Sequence, residues 1–160
     1  MFKALLFSAL ALAAREQGAH VHGDMKVAIA LEGKSGRIEV HAPAQVIYGF
    51  EYAAKSAKDK KAKDQGMQKL ADKISEMIVL GPESKCDIKM EMSEVDQKEA
   101  HADVEAEFRV NCEKSPAGTN VIINISKVFP RVKRVQVDLV GEGVQKSQEV
   151  KKSGESIEFK

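Results

Sequence analysis

The chain has 160 residues, enough for one domain with a single core. Its 25 basic and 24 acidic residues nearly cancel, which argues against bulk electrostatic capture of nucleic acid or of an anionic membrane. With no tryptophan and 5% aromatic residues, the core has to be built mainly from aliphatic side chains.

The first residues have the pattern of a secretory signal peptide. Lys3 supplies a basic region, residues 4–12 an apolar run, and Ala11-Leu12-Ala13 a cleavage pattern of small residues. The apolar run is well short of the roughly 20 residues that a spanning helix needs. We therefore expect residues 1–14 to be a signal peptide. Residues 15–160 should form one exported domain with no membrane insertion after cleavage.

The next stretch predicts a β-hairpin that carries three histidines on its polar side. Apolar residues alternate with polar ones from residue 21 to residue 31, a pattern typical of a half-buried strand. His20 and His22 stand two residues apart at its start, so a strand would place both rings on one face. Residues 32–36 supply a turn, and residues 37–41 alternate again with His41 facing outward.

A helix is predicted after this hairpin. Residues 44–50 form a largely apolar stretch that fits either a short helix or a buried loop. A mixed-charge run of good helix formers follows at residues 55–64, and we interpret its lysines as a solvated helix face. Apolar residues then recur with helical spacing up to Ile78, which predicts an amphipathic helix lying on a sheet. Gly81-Pro82 should end it.

A second hairpin should contain both cysteines. In an exported protein two cysteines usually pair, so we predict a disulfide between Cys86 and Cys112. Both share the alternation of the apolar residues around them. Placing the cysteines opposite each other predicts an antiparallel register with three further inward pairs. These pairs are Ile88 with Val110, Met90 with Phe108, and Met92 with Ala106.

The remaining residues predict short strands. They cover Asn120 to Ser126, Val135 to Leu139, Val144 to Val150, and a last strand around Ile157 and Phe159. Taken together, the pattern predicts an α+β fold: a mostly antiparallel sheet of hairpins with one main amphipathic helix after the first hairpin.

The candidate chemistry lies in the histidines. The chain has no nucleophile elbow, P-loop, zinc-protease or dinucleotide motif, so we do not expect an enzyme. All four histidines fall on the polar side of a predicted strand or at its end, and His101 opens a strand that also carries Asp103 and Glu105. Imidazole and carboxylate ligands suit zinc in a tetrahedral site.

Two other interpretations of these residues stay open. The histidines could be ordinary surface residues of a structural or interaction module that binds metal only incidentally. A copper chaperone would instead use thioether ligands from Met25, Met90 or Met92, since copper(I) prefers soft ligands.

Taken together, these segments resemble the ZrgA-type zinc-regulated periplasmic proteins. The resemblance rests on the signal peptide followed by Ala19-His20-Val21-His22-Gly23, on Gly49-Phe50-Glu51, and on His101-Ala102-Asp103 opening a strand that ends in Cys112. Phe129-Pro130 followed by Val135-Gln136-Val137 completes it.

The resemblance implies a periplasmic zinc-binding protein that assists an ABC-type zinc importer. His20, His22 and His101 match the family's histidine positions, and His41, Asp103 and Glu105 are additional candidates. Such proteins often carry a long insert rich in histidine before the strand that begins at His101, where this chain has only residues 94–100 and no histidine. We therefore expect at most one well-formed zinc site, in a monomer or a weak homodimer.

Overall fold

The described residues, 23–160, form two β-sheets and one long helix in a computed structural model of the chain. The strands are β1 (Asp24–Glu32), β2 (Ser35–Pro43), β3 (Ile78–Leu80), β4 (Cys86–Lys98), β5 (His101–Cys112), β6 (Asn120–Ile123), β7 (Arg134–Gly141), β8 (Val144–Val150) and β9 (Glu155–Glu158). The α-helices are α1 (Ala44–Tyr48), α2 (Ala57–Met77) and α3 (Ile125–Val128), and a single 3-10 turn covers Pro82–Ser84. None of the helices in this part of the chain is long and apolar enough to cross a membrane.

The larger sheet has six strands in the order β4-β5-β2-β1-β7-β8. The predicted first hairpin is confirmed, with Lys26 opposite His41. Strand β1 lies in the middle of this sheet, antiparallel to β2 and parallel to β7. Along β1, β2, β5 and β7 the apolar residues point to one buried face and the polar ones to the other, as strand alternation requires.

The predicted fold class, α+β with a mostly antiparallel sheet and one main amphipathic helix, is wrong. Strands take up 50% of the described residues and helices 24%, and the large sheet is mixed, so the fold is β-rich. The error has a physical source: turn signals pair only strands that are neighbours in the chain. Strands β1 and β7 pair in parallel although they lie about a hundred residues apart in the sequence. No local sequence pattern predicts this pairing.

A second sheet of three strands, in the order β3-β6-β9, was also not expected as a separate unit. Ile78, assigned from the sequence to the helix, lies instead in β3, because the helix ends at Met77 and the chain continues in extended conformation. The predicted strand from Asn120 to Ser126 is shorter than expected. It ends at Ile123 and gives way to α3.

Helix α2 is packed closely against α1. Its first turn is capped by Ser56, whose Oγ accepts a hydrogen bond from the Asp59 backbone N–H at 3.0 Å. A Cβ at Gly66 would lie 2.7 Å from the Tyr48 Cβ, so only glycine allows α2 this close to α1. This contact anchors the start of the segment that joins the two helices, residues 49–56.

The second hairpin follows the predicted register up to a bulge. The disulfide between Cys86 and Cys112 is present, and Ile88 and Met90 stand opposite the expected partners. The register then shifts between Met90 and Met92, so Met92 stands opposite Glu107 and not Ala106. One extra residue in a strand reverses which side chains face outward, and Met92 is 43% exposed as a result.

Candidate functional site

Three strand ends meet at one end of the large sheet, and the predicted ligand His101 lies there. His20 and His22 lie outside the described residues, so their placement stays a prediction. Strand β1 begins at Asp24, β2 ends at Pro43 and β5 begins at His101, and the strand registers bring these three ends together. We call this end of the sheet the histidine end. The chain that carries His20 and His22 joins β1 here, through Gly23.

His101 stands at the tip of the second hairpin, directly after its two-residue turn. Its Nδ1 lies 3.0 Å from Glu51 Oε2, and its ring is 68% exposed. The Glu51 side chain is only 13% exposed. Because a carboxylate can only accept a hydrogen bond, Nδ1 is the donor in this contact, and Nε2 is the nitrogen that remains for a metal ion.

A second contact holds the same two residues together through their backbones. The Gln97 side-chain amide donates to the Glu51 carbonyl oxygen at 2.8 Å and to the His101 carbonyl oxygen at 3.1 Å. Gln97 therefore ties residues 49–56 to the hairpin tip, independently of the His101 imidazole.

His41 lies on β2 directly opposite Glu105 of β5. Its Nε2 is 3.8 Å from Glu105 Oε1, which is an ion-pair distance and too long for a hydrogen bond. Glu105 is four residues beyond His101, which corresponds to about 13 Å along a strand. His41 and His101 therefore face different carboxylates and stand well apart in this arrangement.

Negative charge dominates the strand pair next to these histidines. The bulge turns Glu94 and Asp96 to the outward face, where they stand opposite Glu105 and Asp103. The pKa of Lys98 is raised, first by its hydrogen bond to Asp96 and by that carboxylate's charge, and further by Asp103 and Glu105. This surface favours cations.

No three histidine, cysteine, aspartate or glutamate side chains converge on a possible metal position within residues 23–160. A tetrahedral zinc site needs about four ligands at about 2.0–2.2 Å. The described residues therefore supply separate candidate ligands, of which His101 is the most exposed, and not a closed site.

The three methionines of the copper interpretation do not share a location. Met25 is buried on the inner face of β1, and Met90 packs against the core. Met92 points to the opposite, outward face. These positions give copper(I) no set of converging thioethers.

Comparison with known protein families identifies the family of this chain, which the geometry alone does not. The family model described as ZrgA family zinc uptake protein matches residues 19–159. The chain belongs to the ZrgA family. The resemblance found in the sequence is thereby confirmed, and the matched range includes all four histidines. A comparison with curated proteins finds no match.

Membership of the ZrgA family sets the general function as zinc uptake. The family's description names the uptake of an ion and no catalysed reaction, in keeping with the lack of enzyme motifs in the sequence.

Two residues of the site, Glu51 and Gln97, were given no role from the sequence. Glu51 stands in the Gly49-Phe50-Glu51 motif, but it reaches His101 only because the segment between two helices passes beside the hairpin tip. Contacts of this kind leave no periodic signal. The single available hint was an acidic residue beside aromatic ones in a short loop.

Proposed function

We propose that this protein is a periplasmic zinc-binding accessory protein that captures zinc and supplies it to an ABC-type importer. Family membership supports the role in zinc uptake. The signal pattern in residues 1–14 supports export, and the Cys86–Cys112 disulfide fits an oxidising compartment such as the periplasm.

In this proposal His20, His22 and His101 are the main zinc ligands. The observation that carries it is the position of His101: an exposed ring with Nδ1 occupied by Glu51, at the end of the sheet where the chain leads from His22 into β1. His41, Asp103 and Glu105 are further candidate ligands on the same outward face.

The surroundings suit a carrier of zinc. Carboxylates on β4 and β5 raise the local concentration of cations, which speeds capture. An exposed ligand such as His101 also leaves room for ligands of an acceptor protein to replace it one at a time. Direct transfer of zinc to an importer component then needs no release into solution.

Calorimetric titration of residues 15–160 with zinc tests the ligand set. We expect His101→Ala and the double variant His20→Ala/His22→Ala each to weaken zinc binding at least about tenfold, since each removes a ligand. Glu158→Gln is the matched control, because it removes one exposed carboxylate from β9, outside the large sheet. Unchanged affinity in either histidine variant would contradict the proposed ligand set.

The transfer step needs its own experiment. Zinc-loaded protein is mixed with the purified zinc-binding component of the importer, and the metal content of each is measured after separation. Transfer that is faster than release of zinc to a chelator supports the accessory role. Transfer at the same rate as release, or a partner that binds equally well when zinc is removed, favours the structural or interaction module.

A further inference from the structure

Contacts within its own segment, residues 48–52, hold Glu51 in place beside His101. Tyr48 and Phe50 pack edge to face with ring centroids 4.8 Å apart, and Phe50 stacks on Tyr52 with centroids 4.6 Å apart. Tyr48 is fixed in turn by the close approach of α2 at Gly66. Glu51 lies between Phe50 and Tyr52 in the chain, so aromatic packing and the Gln97 hydrogen bond to its carbonyl oxygen hold its backbone without the His101 ring.

The negative charge of Glu51 also affects a neighbouring side chain, Tyr48. The pKa of Tyr48 is raised, first by burial and then by the negative charge of Glu51. With a side chain only 13% exposed, Glu51 has less access to water than an ordinary surface acid. A poorly hydrated carboxylate favours a hydrogen-bond donor as its partner, and His101 Nδ1 lies at hydrogen-bond distance from Glu51.

We propose that Glu51 is a positioning residue for zinc binding: it holds His101 in the tautomer with the proton on Nδ1 and so presents Nε2 to the ion. This inference rests on the proposed role of His101 as a zinc ligand. Metal-binding histidines commonly donate their other nitrogen to a carboxylate, which fixes the ring and makes the ligand more basic. Gln97 assists by holding both backbones.

The first test needs no metal. The protein is labelled with ¹⁵N-histidine, and nitrogen chemical shifts report which ring nitrogen carries the proton at about pH 8, where imidazoles are ordinarily neutral. We expect His101 to be protonated on Nδ1 in the wild type. Glu51→Ala should move the proton towards Nε2, while Glu51→Gln should have a smaller effect because the amide oxygen still accepts. His41 serves as the internal control.

The second test measures zinc affinity by competition with a chelating dye. Glu51→Ala should weaken binding by about 10- to 100-fold, the usual cost of losing such a partner, and Glu51→Gln by less. Glu113→Gln is the matched control: it removes a carboxylate that pairs with Lys85 beyond the disulfide, and its affinity should equal that of the wild type. In the zinc-loaded wild type, Nδ1 of His101 should keep its proton.

Two results overturn the inference: an affinity of Glu51→Ala equal to that of the wild type, or zinc bound at Nδ1 of His101. The failure of the inference can be told from failure of the ligand set. If His101→Ala weakens binding and Glu51→Ala does not, only the positioning role is wrong. If His101→Ala itself has no effect, His101 is not a ligand and the proposed site is wrong.

Discussion

The two ends of the β4–β5 hairpin are built in opposite ways. At one end, Cys86 and Cys112 are joined covalently, and Phe108 and Val110 nearby are completely buried. At the histidine end, the contacts are polar and lie at the surface: His101 with Glu51, and Gln97 with two carbonyl oxygens. The hairpin thus combines two different ends. The end with the disulfide and the buried Phe108 and Val110, which we call the frame, is fixed, and the histidine end is accessible for binding.

The bulge between Met90 and Met92 separates these two ends. Before it, the side chains of β4 alternate in step with the core; after it, Glu94 and Asp96 face outward beside the histidine end. The difference between the ends predicts that fold stability and zinc affinity depend on different residues.

The largest expected effect on the frame comes from Phe108→Ala. Phe108 is completely buried, and losing a buried phenyl ring costs about 3–5 kcal/mol of unfolding free energy. Chemical denaturation measures it. Val140→Ala, at an exposed apolar position, is the control and should stay within about 0.5 kcal/mol of the wild type.

Replacing both cysteines with alanine should lower the unfolding free energy by about 3–4 kcal/mol, because the disulfide closes a loop of 26 residues in the unfolded chain. Zinc affinity of the folded double variant should stay within about twofold of the wild type. Treating the wild type with a reductant should reproduce the loss of stability. A large loss of zinc affinity in folded, reduced protein would show that the two ends are coupled.

Zinc affinity should fall as the pH is lowered through about 6.5. A histidine nitrogen binds zinc only when it is unprotonated, so protons compete for each ligand. Below that pH the affinity should drop by at least about tenfold per pH unit, while the midpoint of unfolding in denaturant, followed in parallel, should change much less. A flat affinity between pH 7.5 and pH 5.5 would argue for a site made of carboxylates alone.

The smallest effect is expected from Glu105→Gln, which removes a carboxylate that pairs with His41. Both side chains are about one-third exposed, and surface pairs of this kind contribute about 0.2–1 kcal/mol to stability. If Glu105 is not a ligand, zinc affinity should change by less than about threefold. A loss of tenfold or more would place Glu105 among the ligands and extend the site along β5.

What could be predicted from the sequence was local. Alternation and a single turn gave the first hairpin, whereas the rule that two cysteines of an exported protein usually pair gave the disulfide and, together with alternation, the register from Cys86 to Met90. The bulge was not predictable, because Glu91 and Met92 fit an unbroken alternation equally well. The contact between Glu51 and His101 depends on how helices α1 and α2 pack, which strand periodicity does not describe.

The pairing of β1 with β7 has a consequence for how the protein folds. Asp24 and Arg134, which pair where these strands begin, are 110 positions apart in the sequence. The first hairpin can form early because its strands are neighbours in the chain, but the other side of β1 stays without a partner until β7 joins it. During that time an apolar strand presents open backbone hydrogen-bonding groups, a recognised cause of aggregation. Folding speed, and the need for assistance from chaperones, should therefore depend on the arrival of Arg134 and β7 more than on any residue of the zinc site.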